Sequence, residues 1–121
     1  MNYYISPPEK TNWSMSPSEF VANLVKRWPN ARVRTTNNPE FSPAWEIQMR
    51  NGILDGRFYP PLPGVVFSSG DEEHLVTFVL WFRSLVPPEQ PLLFYQEGFG
   101  MHVEVKPDTT VKEILAALNE E

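Results

Sequence analysis

Two histidines, His74 and His102, are the only side chains of this 121-residue chain that titrate near neutral pH without help from their surroundings. His102 precedes Glu104 by two positions, and in a strand such positions project to one face, so a general acid–base pair is geometrically available. Glu97-Gly-Phe-Gly100 lies just upstream, a glycine-bearing segment of the kind that can close over a sheet edge. The same residues also make an ordinary polar face on a half-buried strand, because alternation alone produces it.

Asp71-Glu-Glu-His74 suggests two further chemistries. A nucleotide-hydrolysing acidic box needs a glycine-rich phosphate loop ending in Gly-Lys-Ser/Thr, and the sequence has no such run. Asp71 and His74 meet one turn apart on a helix, but a metal ion needs further ligands from elsewhere. The positive end of a helix dipole accounts for three acidic residues at a helix start. No metal and no cofactor are expected. Glu97 to Glu104 partly echoes the RNA-recognition segment Lys/Arg-Gly-Phe/Tyr-Gly/Ala-Phe-Val, with Phe99 in place. Glu97 replaces its cation, Met101 its second aromatic and Glu104 its last one, so nucleic acid is not an expected partner.

Lys26, Arg27, Arg32 and Arg34 form the basic cluster of the chain, and Arg50 and Arg57 join it across a sheet. Such a set can bind an anionic ligand or an acidic protein surface. Glu46 and Asp55 lie among these residues, which favours a self-neutralising charged face.

Charge is unevenly placed along the chain. Residues 1–60 carry seven Lys/Arg and five Asp/Glu, whereas residues 61–121 carry three and ten, within a total of −5. An acidic half attracts a basic protein and repels a nucleic-acid backbone. With no cysteine, a disulfide framework, thiolate catalysis and Cys-ligated metal are excluded. The first basic residue is Lys10 and no apolar run follows the start, so no secretory signal is read. The longest strongly apolar stretch, Leu75 to Phe82, falls far short of the roughly 20 residues that span a bilayer. A cytoplasmic protein without a membrane partner is expected.

The elements that must position these residues are legible from period and punctuation. Met1 to Ser6 reads as a strand stopped by Pro7-Pro8. Ser16-Pro-Ser-Glu19 combines an N-cap, proline at the first helical position and a capping-box glutamate. Phe20, Val21, Leu24, Val25 and Trp28 then form one apolar stripe, ended by Pro29. Ala31 to Thr35 alternates, placing Arg32 and Arg34 on one side. Trp45 to Arg50, Asn51-Gly52 and Ile53 to Tyr59 predict a hairpin with a two-residue turn at Asn-Gly. Counted from that turn, Trp45 faces Phe58, Ile47 faces Gly56, Met49 faces Leu54 and Glu46 pairs with Arg57.

Val65 to Ser68 reads as the next strand, and a helix starts near Asp71 and runs to Leu85. Leu92 to Gln96 and Met101 to Val105 form a second hairpin. Thr110-Val-Lys-Glu113 opens a terminal helix carrying Val111, Ile114, Leu115 and Leu118. Trp13, Phe41 and Phe99 stand outside the strong periodic segments; Trp13 is expected to seal the core.

The expected class is α+β: an antiparallel or mixed sheet of about six to seven strands with helices packed mainly on one face, a two-layer sandwich in one domain over residues 1–121. The expected function is a small non-catalytic interaction protein, of inhibitor or immunity type, presenting an acidic surface to a basic protein partner. Asp71, Glu72, Glu73, Glu97 and Glu104 are its binding candidates. The alternative is a ligand-binding domain or small hydrolase using His102 and Glu104. A third reading is a homodimer built by sheet extension, with the first strand as the open edge.

Overall fold

The alternating and helical patterns resolve into strands and helices in a computed structural model that describes residues 1–98 and 100–119. In chain order these are β1 (Tyr3–Ser6), α1 (Pro17–Arg27), β2 (Arg32–Arg34), β3 (Ala44–Met49), β4 (Gly52–Tyr59), β5 (Gly64–Ser68), α2 (Glu72–Leu85), β6 (Leu93–Gln96), β7 (His102–Glu104) and α3 (Val111–Leu118). A 3-10 turn, Pro39–Phe41, interrupts the β2–β3 connection.

Both capping boxes form. The Ser16 hydroxyl accepts from the Glu19 amide at 3.1 Å, and the Ser16 amide donates to the Glu19 carboxylate at 3.1 Å. Thr110 and Glu113 repeat this reciprocal pair at 3.2 and 3.0 Å. Each cap contributes about 1 kcal/mol by satisfying amides that the helix leaves open.

The seven strands make one antiparallel sheet in the order β2-β3-β4-β5-β1-β6-β7. β1 therefore lies between β5 and β6 rather than at an edge, which overturns the expectation that the first strand is open for dimerisation. A strand at the chain start is central here because the later β6–β7 hairpin adds to its far side. The true edges, β2 and β7, are three residues long and carry Arg32, Arg34, His102 and Glu104, short charged strands that resist pairing with another sheet.

Alternation sorts the strands into two faces. Ile5, Trp45, Ile47, Leu54, Phe58, Val65, Phe67 and Phe94 point to one side and are buried. The helices cover that side. Phe20 of α1 stacks on Phe58 with centroids 4.6 Å apart, and Phe78 of α2 lies 4.7 Å from Phe67 and 4.9 Å from Trp45. Ile114 of α3 is fully buried beside α2 and β7. One continuous core joins both layers, with the half-buried Trp13 packed against it. No helix among the described residues is long and apolar enough to cross a membrane.

The β3–β4 hairpin forms where expected, but its register is displaced by two residues. Met49 pairs with Gly52, so Arg50 and Asn51 make the turn and Gly52, at φ 141°, is the first paired residue of β4. The Gln48 amide donates to both carbonyls of that closing pair, at 3.3 Å each. The packing reason lies at Trp45, which stands opposite Gly56 and not Phe58. A Cβ on Gly56 would come within 2.8 Å of the indole and 2.3 Å of the Val66 carbonyl, so only glycine seats this tryptophan. An even displacement keeps every side chain on its expected face but changes its neighbours. Glu46 lies opposite Asp55 and Arg32, and Arg57 lies opposite Ala44.

At the end of α2 a buried cation ties three segments together. Arg83 is 4% exposed, and its guanidinium donates to the carbonyls of Gln90 (2.9 Å), Val105 (3.1 Å), Val86 (3.1 Å) and Pro87. Burial holds its pKa below the usual arginine value, with Glu89 opposing that shift. Among these carbonyls is that of Val86, the C-cap, which α2 leaves open as it ends.

Candidate functional site

The acidic residues of 71–73 are positioned by the start of α2. Asp71 is the N-cap, and its carboxylate accepts from the Glu73 amide at 2.9 Å. Its other oxygen lies 3.8 Å from Nε2 of His74, while Nδ1 of His74 and the Ser69 hydroxyl are 2.8 Å apart. Ser69 also accepts from the Asp71 amide at 3.2 Å. Serine, histidine and aspartate in contact raise nucleophilic catalysis, yet the aspartate–imidazole separation is beyond hydrogen-bonding distance. The serine oxygen already serves the backbone, and His74 is only 6% exposed. The three groups close on one another as a cap. Glu72 and Glu73 are left exposed, with Glu72 accepting from the Asn119 amide at 3.5 Å.

Glu97 follows β6, and its amide donates to the Asn2 carbonyl at 3.0 Å. Since β5 and β6 flank β1, Glu97 comes to the end of the sheet where β5 delivers the chain to Asp71. Asp55, paired with Ser68, lies at the same end. Asp71, Glu72, Glu73 and Glu97 thus make an acidic corner at this end from two separate chain segments, whereas Asp55 turns onto the uncovered face among the arginines of β2 and β4. Among the described residues none of them is within ion-pair distance of a lysine or arginine. Buried surroundings, then Glu97, then Tyr95 push the phenol of Tyr4 above its ordinary value, so the carboxylate of Glu97 is felt on the uncovered face.

Glu104 is not part of this corner. It pairs with Leu93 near the opposite end, about 13 Å along the strand direction from the level of Glu97. His102 pairs with Tyr95, two positions from Glu104 on the same uncovered face, and both side chains are exposed. The grooves described on this face are lined by neither residue. Phe99, the aromatic of the upstream segment, lies outside the described residues. Among the described residues no three His, Asp or Glu side chains gather as metal ligands.

The basic cluster is divided. The Arg27 guanidinium lies over the Trp28 ring at 4.6 Å, at the end of α1. Arg32 and Arg34 project from β2 onto the uncovered face, where Arg57 joins them from β4. Glu46 and Asp55 lie among these arginines, with Glu46 opposite Arg32, but no Lys/Arg–carboxylate pair comes within ion-pair distance among the described residues. In the displaced register Arg57 faces Ala44 and Glu46 faces another carboxylate, so the anticipated Glu46–Arg57 partnership is gone.

Phe41, Tyr59 and Ala44 complete a groove that the expected register could not reveal. Phe41 packs on Tyr59 at 4.9 Å, folding the β2–β3 connection over the sheet, and Tyr4 stacks on Tyr95 at 5.1 Å. The sequence signal for this arrangement is Trp45 with Gly56, which sets the register. Compared with protein-family models, curated proteins and solved structures, the chain matches none.

Proposed function

We propose that the protein is a non-catalytic interaction domain, of inhibitor or immunity type, that binds a basic protein partner through its acidic corner. The supporting observation is that Asp71, Glu72, Glu73 and Glu97 come to one end of the sheet without a cationic neighbour in ion-pair distance among the described residues. Like charges held together cost folding free energy, and a positive partner surface recovers it while steering encounter. The setting proposed is the cytoplasm, since a fold without cysteine needs no oxidising compartment.

Asp71 is unsuited to the test because it caps α2. The variant of choice is Glu72→Lys/Glu73→Lys/Glu97→Lys, with all three positions exposed. Affinity capture from native-host lysate, at low and moderate salt, is expected to retain one basic protein with the wild-type chain. The triple variant is expected to lose that protein, with affinity down by more than about tenfold. Equal retention of the same partner by the triple variant, or binding indifferent to salt, overturns the assignment.

A further inference from the structure

The face of the sheet that the helices leave uncovered is not uniformly polar. One row of residues crosses it from edge to edge: Arg34, Ala44, Arg57, Val66, Tyr4, Tyr95 and His102, each paired with the next on the adjacent strand. Arg34 and Arg57 flank Ala44, so their Cα atoms are about 10 Å apart with a methyl group between them. Both are exposed, Ala44 is 4% exposed, and neither arginine has an ion-pair partner among the described residues. The carboxylates nearest these arginines, Glu46 and Asp55, belong to the neighbouring row with Arg32, one strand repeat away.

Two adjoining hollows lie along this row. The larger, about 790 Å³, has Arg32, Arg34 and Arg57 on its walls together with Glu46 and Asp55, three positive groups against two negative. The smaller, about 140 Å³, is walled by Tyr4, Tyr59, Phe41, Leu62, Val66 and Tyr95 among others. Tyr4, Phe41 and Val66 border both. A hollow of the second size with apolar walls takes about one aromatic ring. Two guanidiniums across a small floor suit an oxyanion, which each can bind through paired N–H donors.

We propose that this face binds a small organic anion consisting of a phosphate or carboxylate on a flat apolar body. Arg34 and Arg57 hold the charged end above Ala44, and the Tyr4–Val66–Tyr59 hollow takes the ring. Asp55 and Glu46 disfavour the anion on their side and so fix its direction along the row. This site shares no residue with the acidic corner of Asp71, Glu72, Glu73 and Glu97, and its failure leaves the partner assignment untouched.

The test is an amide NMR titration of the full chain with phenyl phosphate and benzoate, against inorganic phosphate and benzyl alcohol as half-ligands. Saturable shifts at Tyr4, Ala44, Arg57 and Val66 are expected with one or both complete probes, and whichever binds tighter identifies the anion. Each half-ligand is expected to bind at least about tenfold more weakly, as are the complete probes to Arg34→Gln and Arg57→Gln, while Arg50→Gln in the hairpin turn binds as wild type. The spectrum itself reports whether each variant is folded. Shifts elsewhere or none at millimolar probe, equal affinity for inorganic phosphate, or undiminished binding by folded Arg57→Gln overturns the proposal.

Discussion

Tyr4 shows how one side chain records its surroundings. Its phenol loses solvent against Tyr95 and faces the charge of Glu97, and both effects favour the neutral form. An unfolded tyrosine ionises near pH 10, so the native state keeps its proton to higher pH than the unfolded chain. The associated stability is complete below the unfolded value and is lost as pH rises through the raised native one. Stability is therefore expected to fall above about pH 10, with a shallower decline in Tyr4→Phe. Urea unfolding at successive alkaline pH values, alongside phenolate absorbance, checks this; identical slopes for the two proteins would remove the assigned cause. Neither effect was legible in the sequence, because Tyr4, Tyr95 and Glu97 meet only through the order of strands. His102 and Glu104, by contrast, lie two positions apart in one strand, and their shared exposed face followed from alternation alone.

Elements were more legible than their neighbours. The capping boxes at Ser16 and Thr110 carry their partners within three residues, so local sequence determines them. The β3–β4 hairpin was visible as a hairpin, and the faces of its strands were right. Its register was not, because Asn51-Gly52 is a strong turn signal, and the competing determinant, room for the Trp45 indole over Gly56, is tertiary. Gly56→Ala tests that determinant. The added methyl collides with the Val66 carbonyl and with Trp45, and overpacking of this kind costs typically about 1–3 kcal/mol. Denaturant unfolding is expected to show a loss in that range. Gly70→Ala, where nothing lies within 4 Å of the new Cβ, separates the packing effect from the general consequence of replacing glycine. A Gly56→Ala protein as stable as wild type would mean the register rests on the turn after all.

At the scale of the whole molecule, the two-layer α+β arrangement followed from alternating and helical periods, but the place of β1 did not. A strand's neighbours depend on every other strand, and β1 pairs with β5 and β6, elements at least fifty residues further along the chain. A chain ending after Pro91 lacks β6, β7 and α3, and also the Val105 carbonyl that Arg83 holds. Such a fragment is expected to show no cooperative urea transition and the full chain to show one; a cooperative fragment would mean that residues 1–91 form a stable unit by themselves. The central place of β1 also has a meaning in time. On a ribosome the first strand emerges before either of its partners exists, and its second edge stays open until Gln96 has been made. Apolar side chains such as Ile5 must wait through that interval, so this sheet closes only once β6 has emerged, and β1 is the segment most in need of shielding until then.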